Sequence, residues 1–179
     1  MNTPKEWGEL LDKQQITEVL FRYCRGIDRN DIDLALDVFH LDAVDNHTGT
    51  PIPIAEVARR LRNPARGVLK AATHTLSNIL IDLDGDVAHS EAYFLASHRL
   101  MHEGEDLDWI VAGRYLDRFE RRRQIWKISH RRAVFDWDRL QRVASAPSGI
   151  EFARSIEGAL HGRTDRSDPS YQPAAGAKA

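Results

Sequence analysis

The sequence predicts one α+β domain in which helices pack on a sheet of long antiparallel strands. The first part of the chain has the 3.6-residue apolar spacing of helices, and from about residue 72 the spacing changes to the alternation of strands. Helices followed by a run of strands favour an α+β fold over the alternating order of a dinucleotide-binding fold. The length of 179 residues suits one domain with a substantial core.

Three helices and one short strand are predicted in the first part of the chain. Gly26 is expected to mark the end of the first helix, and Asn30 or Asp31 is expected to cap the second. The third helix is interrupted at Asn63, because a residue that precedes proline disfavours the helical conformation. The predicted helices cover about residues 6–27, 31–39 and 54–63, and the strand covers residues 42–48.

Four long strands are predicted in the second part. The segment Asp84-Gly85-Asp86 is a strong hairpin signal. A second turn is expected at residues 102–106, and the basic run at residues 121–123 is interpreted as a solvated turn. The predicted strands cover about residues 73–82, 87–101, 107–120 and 124–137.

A change in composition after Val143 divides the chain into a domain over residues 1–143 and a C-terminal extension over residues 144–179. The extension opens with a linker that is rich in alanine, serine and proline. A peripheral helix is predicted at residues 150–160. The polar end, residues 161–179, is expected to be disordered or loosely attached.

Charge and composition exclude several classes of protein. The net charge of -2 and the pI of about 6.4 give no support for a nucleic-acid partner. The single cysteine, Cys24, excludes an internal disulfide and favours a reducing compartment. No apolar stretch approaches the ~20 residues of a membrane helix, and the polar start does not have the pattern of a signal peptide. The prediction is a cytoplasmic protein that does not bind membranes.

The sequence contains no recognised motif for a metal or cofactor. His98 and His102 are four residues apart, and a strand separates such positions by ~13 Å. The chain has no helical His-Glu-x-x-His, no cysteine cluster, no phosphate-binding glycine loop and no Gly-x-Ser-x-Gly. The prediction is therefore no metal and no cofactor. A metal site assembled from His47, His74 and His130 remains the open alternative.

Five short segments, in this order, resemble the SnoaL-like, nuclear transport factor 2-like family: residues 16–31, 73–78, 84–88, 113–119 and 126–131. The similarity covers about residues 10–138. It implies a cone-shaped fold in which a strongly curved antiparallel sheet wraps around the first helix and encloses a largely apolar pocket. Relatives in this family include dehydratases, a dehydrochlorinase, isomerases, cyclases and formaldehyde-releasing lyases.

The resemblance implies that His74 and Asp28 form a catalytic pair. A neutral imidazole is a suitable base near pH 7, and a carboxylate on its other nitrogen fixes the tautomer. Tyr23 is expected to donate a hydrogen bond to a developing negative charge or a leaving oxygen. It lies ~140° from Asp28 on an ideal helix, so the two converge only if the helix ends near Gly26. A strand histidine, a helix-terminal aspartate and a core tyrosine are the structural alternatives.

Arg131 is the strand arginine that the resemblance places in the pocket, where it would bind an anionic group. Strand alternation puts Arg132 on the opposite face. The structural alternative is a surface or ion-pair role. The residues predicted to bind substrate are Asn78, on the same strand face as His74, together with Arg114, Phe94, Trp109 and His130. Trp126 and Trp137 are further candidates for an aromatic pocket, although core packing is the common role of such residues.

These predictions favour a cofactor-independent lyase that acts on a small hydrophobic or aromatic substrate. The leaving group, whether water, halide or formaldehyde, remains open. The alternatives are an isomerase or cyclase with the same pair, and a non-catalytic binding protein or dioxygenase small subunit. A homo-oligomer, dimer or trimer, is expected because the outer face of a curved sheet tends to pair.

Overall fold

The computed structural model describes residues 5–63, 69–143 and 160–172. These residues form three α-helices, six β-strands and one 3-10 turn. In chain order they are α1 (Lys5–Asp28), α2 (Ile32–Asp37), β1 (Phe39–Asn46), β2 (Ile52–Pro53), α3 (Ile54–Leu61), β3 (Leu69–Asp84), β4 (Val87–His102), β5 (Glu105–Arg122), β6 (Ile125–Arg142) and the 3-10 turn Pro169–Tyr171. The predicted α+β class is confirmed, and the strands are longer than predicted.

The strands of the described residues form one sheet in the order β2-β1-β6-β5-β4-β3. Strands β3 to β6 are an antiparallel meander, as predicted. Strand β1 differs from the prediction, because it pairs parallel to β6. The sheet is therefore mixed rather than fully antiparallel. Helix α1 lies across the sheet against β3 and β6, and the chain after it reaches the edge of the meander beside β6.

The main core lies between α1 and the concave face of the sheet. Ile16, Val19 and Leu20 are fully or almost fully buried on one face of α1, which follows from their helical spacing. They pack in one cluster with Phe119 and Ile128 of the meander. Burying each large apolar side chain contributes about 1.5–3 kcal/mol, so this helix face holds α1 on the sheet.

Gly26 has a different role from the one predicted. Helix α1 continues past it to Asp28, and Gly26 is buried against α2. A Cβ atom on Gly26 would lie 2.5 Å from the backbone nitrogen of Ala35 and 2.8 Å from its Cβ. Glycine is therefore required here because the two helices approach closely, and not because the helix ends.

Gly26→Ala is expected to lower the free energy of unfolding by about 1–3 kcal/mol, because the added methyl group overpacks the contact between α1 and α2. Gly8 is a matched control in the same helix, since a Cβ there meets nothing within 4 Å. Gly8→Ala should raise stability by about 0.5–1 kcal/mol, because alanine favours the helix. Urea unfolding of the two variants measures both effects. A Gly26→Ala variant as stable as the wild type would contradict this account.

Part of the C-terminal extension packs on the end of α1. The Tyr171 hydroxyl donates to Asp31 Oδ2 at 2.9 Å, and Arg166 Nη2 donates to Asp31 Oδ1 at 3.1 Å. The Arg25 guanidinium lies 4.8 Å from the centre of the Tyr171 ring. Residues 161–172, which were expected to be disordered or loosely attached, therefore contact the domain through these side chains. The linker and nearly all of the helix predicted at residues 150–160 lie outside the described residues.

Among the helices of the described residues, none has the length and apolar character that crossing a membrane requires.

Candidate active site

A cavity of about 320 Å³ lies between the C-terminal half of α1 and the concave face of the sheet. This volume suits a compact ligand, since pockets for small molecules begin near ~300 Å³. Its walls are mostly apolar and aromatic. The apolar lining includes Ile27, Leu36, Phe39, Val57, Phe94, Trp109, Val111 and Phe135. The polar side chains that reach it include Tyr23, Asp45, His47, His74 and His98.

The structure brings His74 and Asp28 together at this cavity. Asp28 is the last residue of α1, and His74 lies on β3. The His74 Nδ1 atom is 2.6 Å from Asp28 Oδ1, and the His74 backbone N–H donates to Asp28 Oδ2 at 3.0 Å. A carboxylate only accepts hydrogen bonds, so Nδ1 carries the proton. Nε2 is therefore the nitrogen that can accept a proton from a ligand.

Both side chains of this pair are largely shielded from solvent. The exposed fraction is 7% for the His74 side chain and 12% for that of Asp28. Two hydrogen bonds hold the carboxylate, one to the ring and one to the backbone of the same residue. The imidazole is thereby fixed in one tautomer and one orientation, as a general base requires.

Tyr23 and Asp28 serve the same cavity, and α1 ends at Asp28, two residues beyond Gly26. Tyr23 lines the cavity directly. Asp28 acts on it through His74, because β3 passes beside the last turn of α1 and brings the imidazole to the carboxylate.

The Tyr23 hydroxyl keeps its proton over the physiological pH range. Burial raises the pKa of Tyr23 to about 12, against the opposing effect of the Arg131 charge. The Tyr23 ring packs edge-to-face on Phe39 and Tyr115, with ring centres 5.8 Å apart in each pair. Tyr23 is therefore a rigidly held neutral hydrogen-bond donor at the cavity wall.

Arg131 points inward, as predicted, and Arg132 is exposed on the other face. Arg131 is completely buried, however, and its fork binds Asp117 with distances of 2.8 Å and 2.6 Å. Its guanidinium lies 4.1 Å from the Tyr23 ring centre and 4.2 Å from that of Tyr115. Burial alone would lower the pKa of Arg131, but the Asp117 carboxylate raises it above its ordinary value. The prediction of a direct ligand contact is corrected, because Arg131 lies behind the two rings.

Asn78 does not share the inner face of β3 with His74. Asn78 has a positive φ of 47°, and the pairing of β3 with β4 shifts between Ser77 and Leu80. This β-bulge reverses the alternation, so that Ile79 and Ile81 pack inward after it. Asn78 is exposed, and its predicted role in substrate binding is wrong.

Arg114 and His130 lie on the outer face of the sheet, so their predicted contact with substrate is also wrong. Arg114 alternates with the buried Tyr115 and pairs with Asp136 at 3.2 Å. His130 faces outward because a bulge at residue 129 of β6 shifts the alternation. His130 is therefore on the opposite face from His47 and His74. Within the described residues, no three or more His, Cys, Asp or Glu side chains gather in a metal-binding group.

Phe94 and Trp109 line the cavity, as predicted. The Phe94 ring stacks on Tyr115 with centres 4.4 Å apart. This position depends on Gly113, where a Cβ would lie 2.8 Å from Phe94 Cζ and 2.1 Å from the Val134 carbonyl oxygen. The other two tryptophans considered for the pocket lie elsewhere, since Trp126 is in the core and Trp137 is on the outer face.

Asp45, His47 and His98 were not predicted as catalytic or substrate-binding residues, although His47 was named in the metal-site alternative. His47 Nδ1 donates to Asp45 Oδ1 at 2.6 Å, and both residues line the cavity. The His98 ring contacts that of His74, with centres 5.4 Å apart. The spacing of Asp45 and His47 was a signal in the sequence, because residues two apart on a strand point to the same face. His98 lies near His74 because β3 pairs with β4, and no local pattern in the sequence predicts that pairing.

Several solved structures are similar to this fold. A candidate scytalone dehydratase from Novosphingobium aromaticivorans is 22% identical, with a TM-score of 0.67 over 80% of this chain and 97% of that one. A hexachlorocyclohexane dehydrochlorinase, LinA type 3, from Novosphingobium barchaimii is 18% identical, with a TM-score of 0.67 over 83% of this chain and 98% of that one. A candidate aromatic ring hydroxylase from Novosphingobium aromaticivorans is 26% identical, with a TM-score of 0.65 over 75% of this chain and 94% of that one.

The comparison with curated proteins found no match. The model of the SnoaL-like domain matches residues 8–132, which is more than half of the chain. The matched range contains most of α1, all the cavity-lining residues except Phe135, and most of the meander. The chain therefore belongs to the SnoaL-like domain family and has its nuclear transport factor 2-like fold.

Proposed function

We propose that the protein is a cofactor-independent lyase in which His74 is the general base. The observation that carries this proposal is the 2.6 Å contact between His74 Nδ1 and Asp28 Oδ1 at the wall of a largely apolar cavity. A shielded imidazole with a fixed tautomer suits the removal of a proton from a bound substrate. The similarity in fold to a dehydrochlorinase and a candidate dehydratase agrees with elimination chemistry.

The proposed step is an elimination. His74 Nε2 takes a proton from a substrate carbon, and the electron pair of that C–H bond forms a double bond with the neighbouring carbon. The bond from that carbon to the leaving group breaks, and the leaving group departs with its electron pair. Asp28 stabilises the imidazolium that forms. If formaldehyde is released instead, the base takes the proton of a hydroxyl group and the O–H electron pair forms the C=O bond of formaldehyde. The carbon–carbon bond breaks, and its electron pair on the remaining carbon takes the proton back from the His74 imidazolium.

The proposed substrate is a compact hydrophobic or aromatic molecule. The rings of Phe94, Trp109 and Phe135 provide flat apolar walls, and a cavity of about 320 Å³ admits a molecule of one or two rings. Tyr23 supplies a neutral donor for negative charge that develops on the substrate.

The proposal is tested by a turnover screen of the purified protein with a chelator present and no cofactor added. The panel contains aryl alcohols, aryl diols and cyclic hydroxy or halo compounds. Mass spectrometry and a formaldehyde assay identify the product. Loss of water, halide or formaldehyde supports the lyase and names the leaving group. A product of unchanged mass points to the isomerase or cyclase alternative, and binding without conversion points to a non-catalytic pocket.

Tyr23→Phe is expected to lower kcat by about 10²-fold, because one donor to the developing charge is lost. The free energy of unfolding should change by only about 1 kcal/mol, since the ring is kept. Tyr93→Phe is the control, because Tyr93 pairs with Arg114 on the outer face. Steady-state kinetics compare the two variants. An unchanged kcat in Tyr23→Phe would show that this hydroxyl is only structural.

The homo-oligomer stays a prediction. The outer face of the sheet supports it, because Leu95 and Trp137 are exposed there. Ala112 pairs with Leu95 on one side and with Trp137 on the other, so the two side chains lie in one row across the sheet. Exposed apolar surface of this kind favours association.

A further inference from the structure

The cavity contains a second histidine–aspartate pair that the proposed base step does not use. His47 follows β1 directly, and its Nδ1 atom donates to Asp45 Oδ1 at 2.6 Å. The Asp45 side chain is almost fully buried, with 5% exposed, whereas that of His47 is 29% exposed. As with His74, the carboxylate fixes the tautomer and leaves Nε2 as the nitrogen that can exchange a proton with a ligand.

The two pairs reach the cavity from different parts of the sheet. Strands β1 and β3 are separated by β6, β5 and β4 in the sheet order, yet His47 and His74 line one cavity. Aromatic rings form part of the cavity wall beside His47. The His47 ring lies 5.8 Å from that of Tyr115, which stacks on Phe94 at 4.4 Å. Because His47 and His74 line the same cavity, one ligand can contact both imidazoles.

We propose that His47, held by Asp45, is the general acid of the reaction and that the leaving group is a hydroxyl group. This inference rests on the proposed function and narrows it to dehydration. His74 takes the proton from carbon, and the C–H electron pair forms the double bond. The C–O bond breaks as the His47 imidazolium transfers its Nε2 proton to the departing oxygen. The products are an alkene and water.

The chemistry of the leaving group explains why a second pair would be needed. Hydroxide is a poor leaving group, so its departure requires a proton donor in the transition state. Halide leaves as a stable anion and requires none. The Asp45 carboxylate accepts the Nδ1 proton of His47, so that the Nε2 proton of the imidazolium is the one available to the leaving group.

The difference in solvent contact fits these two roles. After one turnover His74 holds an extra proton and His47 lacks one. His47 is 29% exposed and can take its proton back from water, whereas the His74 side chain, at 7%, has less contact with solvent. After the product has left, His74 returns its proton to water through the vacated cavity. The protons then balance over the cycle.

The test compares leaving groups on one carbon skeleton. The hydroxyl substrate identified by the screen is compared with its chloro and bromo analogues, using wild type, His47→Gln and Asp45→Asn. We expect His47→Gln to lower kcat for the hydroxyl compound by about 10²-fold, and the halides by less than about threefold. Asp45→Asn should show the same selectivity to a smaller extent. His74→Ala should lower activity on all the compounds that the wild type converts.

His89→Ala is the matched control, because His89 is exposed on the outer face and should be as active as the wild type. Equal losses on hydroxyl and halide compounds, or no loss, would overturn the assignment and leave the lyase proposal standing. Elimination of halide alone by the wild type would also overturn it. If only the hydroxyl compound is converted, a loss of kcat at unchanged KM supports the assignment, and a loss confined to KM overturns it. No elimination of any compound by the wild type would instead refute the proposed function itself.

Discussion

Asp28→Asn is expected to lower kcat/KM by about 10³- to 10⁴-fold, because the amide reverses the tautomer of His74. The Asn oxygen can still accept the His74 backbone N–H, which now bonds to Asp28 Oδ2 at 3.0 Å. The amide nitrogen then donates to Nδ1, and the proton moves to Nε2, where it blocks the base. Steady-state kinetics of the purified variant measure this loss.

Asp82→Asn is the control for this substitution, because Asp82 is an exposed carboxylate on the same strand as His74. Both variants should unfold at nearly the same urea concentration as the wild type, since each keeps the shape of its side chain. Asp28→Asn with wild-type kinetics would mean that the pair has only a structural role.

Arg131→Met is expected to lower the free energy of unfolding by about 3–5 kcal/mol, because it leaves Asp117 buried without its partner. Both side chains of this pair are fully buried, at 0% exposure. A loss of that size is a large part of the about 5–15 kcal/mol that stabilises a typical domain. Urea or thermal unfolding measures it.

Arg132→Met is the control, because Arg132 is the exposed neighbour on the same strand. It should change stability by less than about 0.5 kcal/mol. The double variant Arg131→Met with Asp117→Leu should recover most of the loss, since an apolar pair can replace a buried ion pair. Small and equal effects of Arg131→Met and Arg132→Met would refute this description of the core.

The sequence was sufficient for the class of the fold and most of its elements. The hairpin signal at Asp84-Gly85-Asp86 and the change of period near residue 72 reflect local conformational preferences, and the structure has the corresponding turn and strands. The parallel pairing of β1 with β6 was not predicted. It depends on where the preceding helices place β1 in space, which is a property of the tertiary fold and not of a local pattern.

The site residues were predictable where the sequence matched a motif of the family. Resemblance indicated His74 and Asp28, and the structure brings them into contact. The strand alternation that indicated Asn78 failed, because one residue in a left-handed conformation shifts the alternation of β3. Bulges of this kind depend on how the sheet curves. They therefore limit any prediction of which strand side chains face a pocket.

Arg131 and His47 illustrate a second limit. The inward direction of Arg131 was indicated by the family resemblance, but its pairing with Asp117 depends on the register between β5 and β6. His47 and Asp45 lie two residues apart, yet their relation to His74 is visible only when the sheet is curled. Side chains from distant strands form this site, so the sequence order does not show its composition.

The measurement that tests the central claim most directly is the elimination rate of wild type, His74→Ala and His89→Ala, assayed side by side with a chelator present. The account predicts that His89→Ala equals the wild type, since His89 lies on the outer face. It predicts that His74→Ala is slower by about 10²- to 10⁴-fold while remaining folded, because the general base is lost. A folded His74→Ala variant that eliminates as fast as the wild type would contradict it.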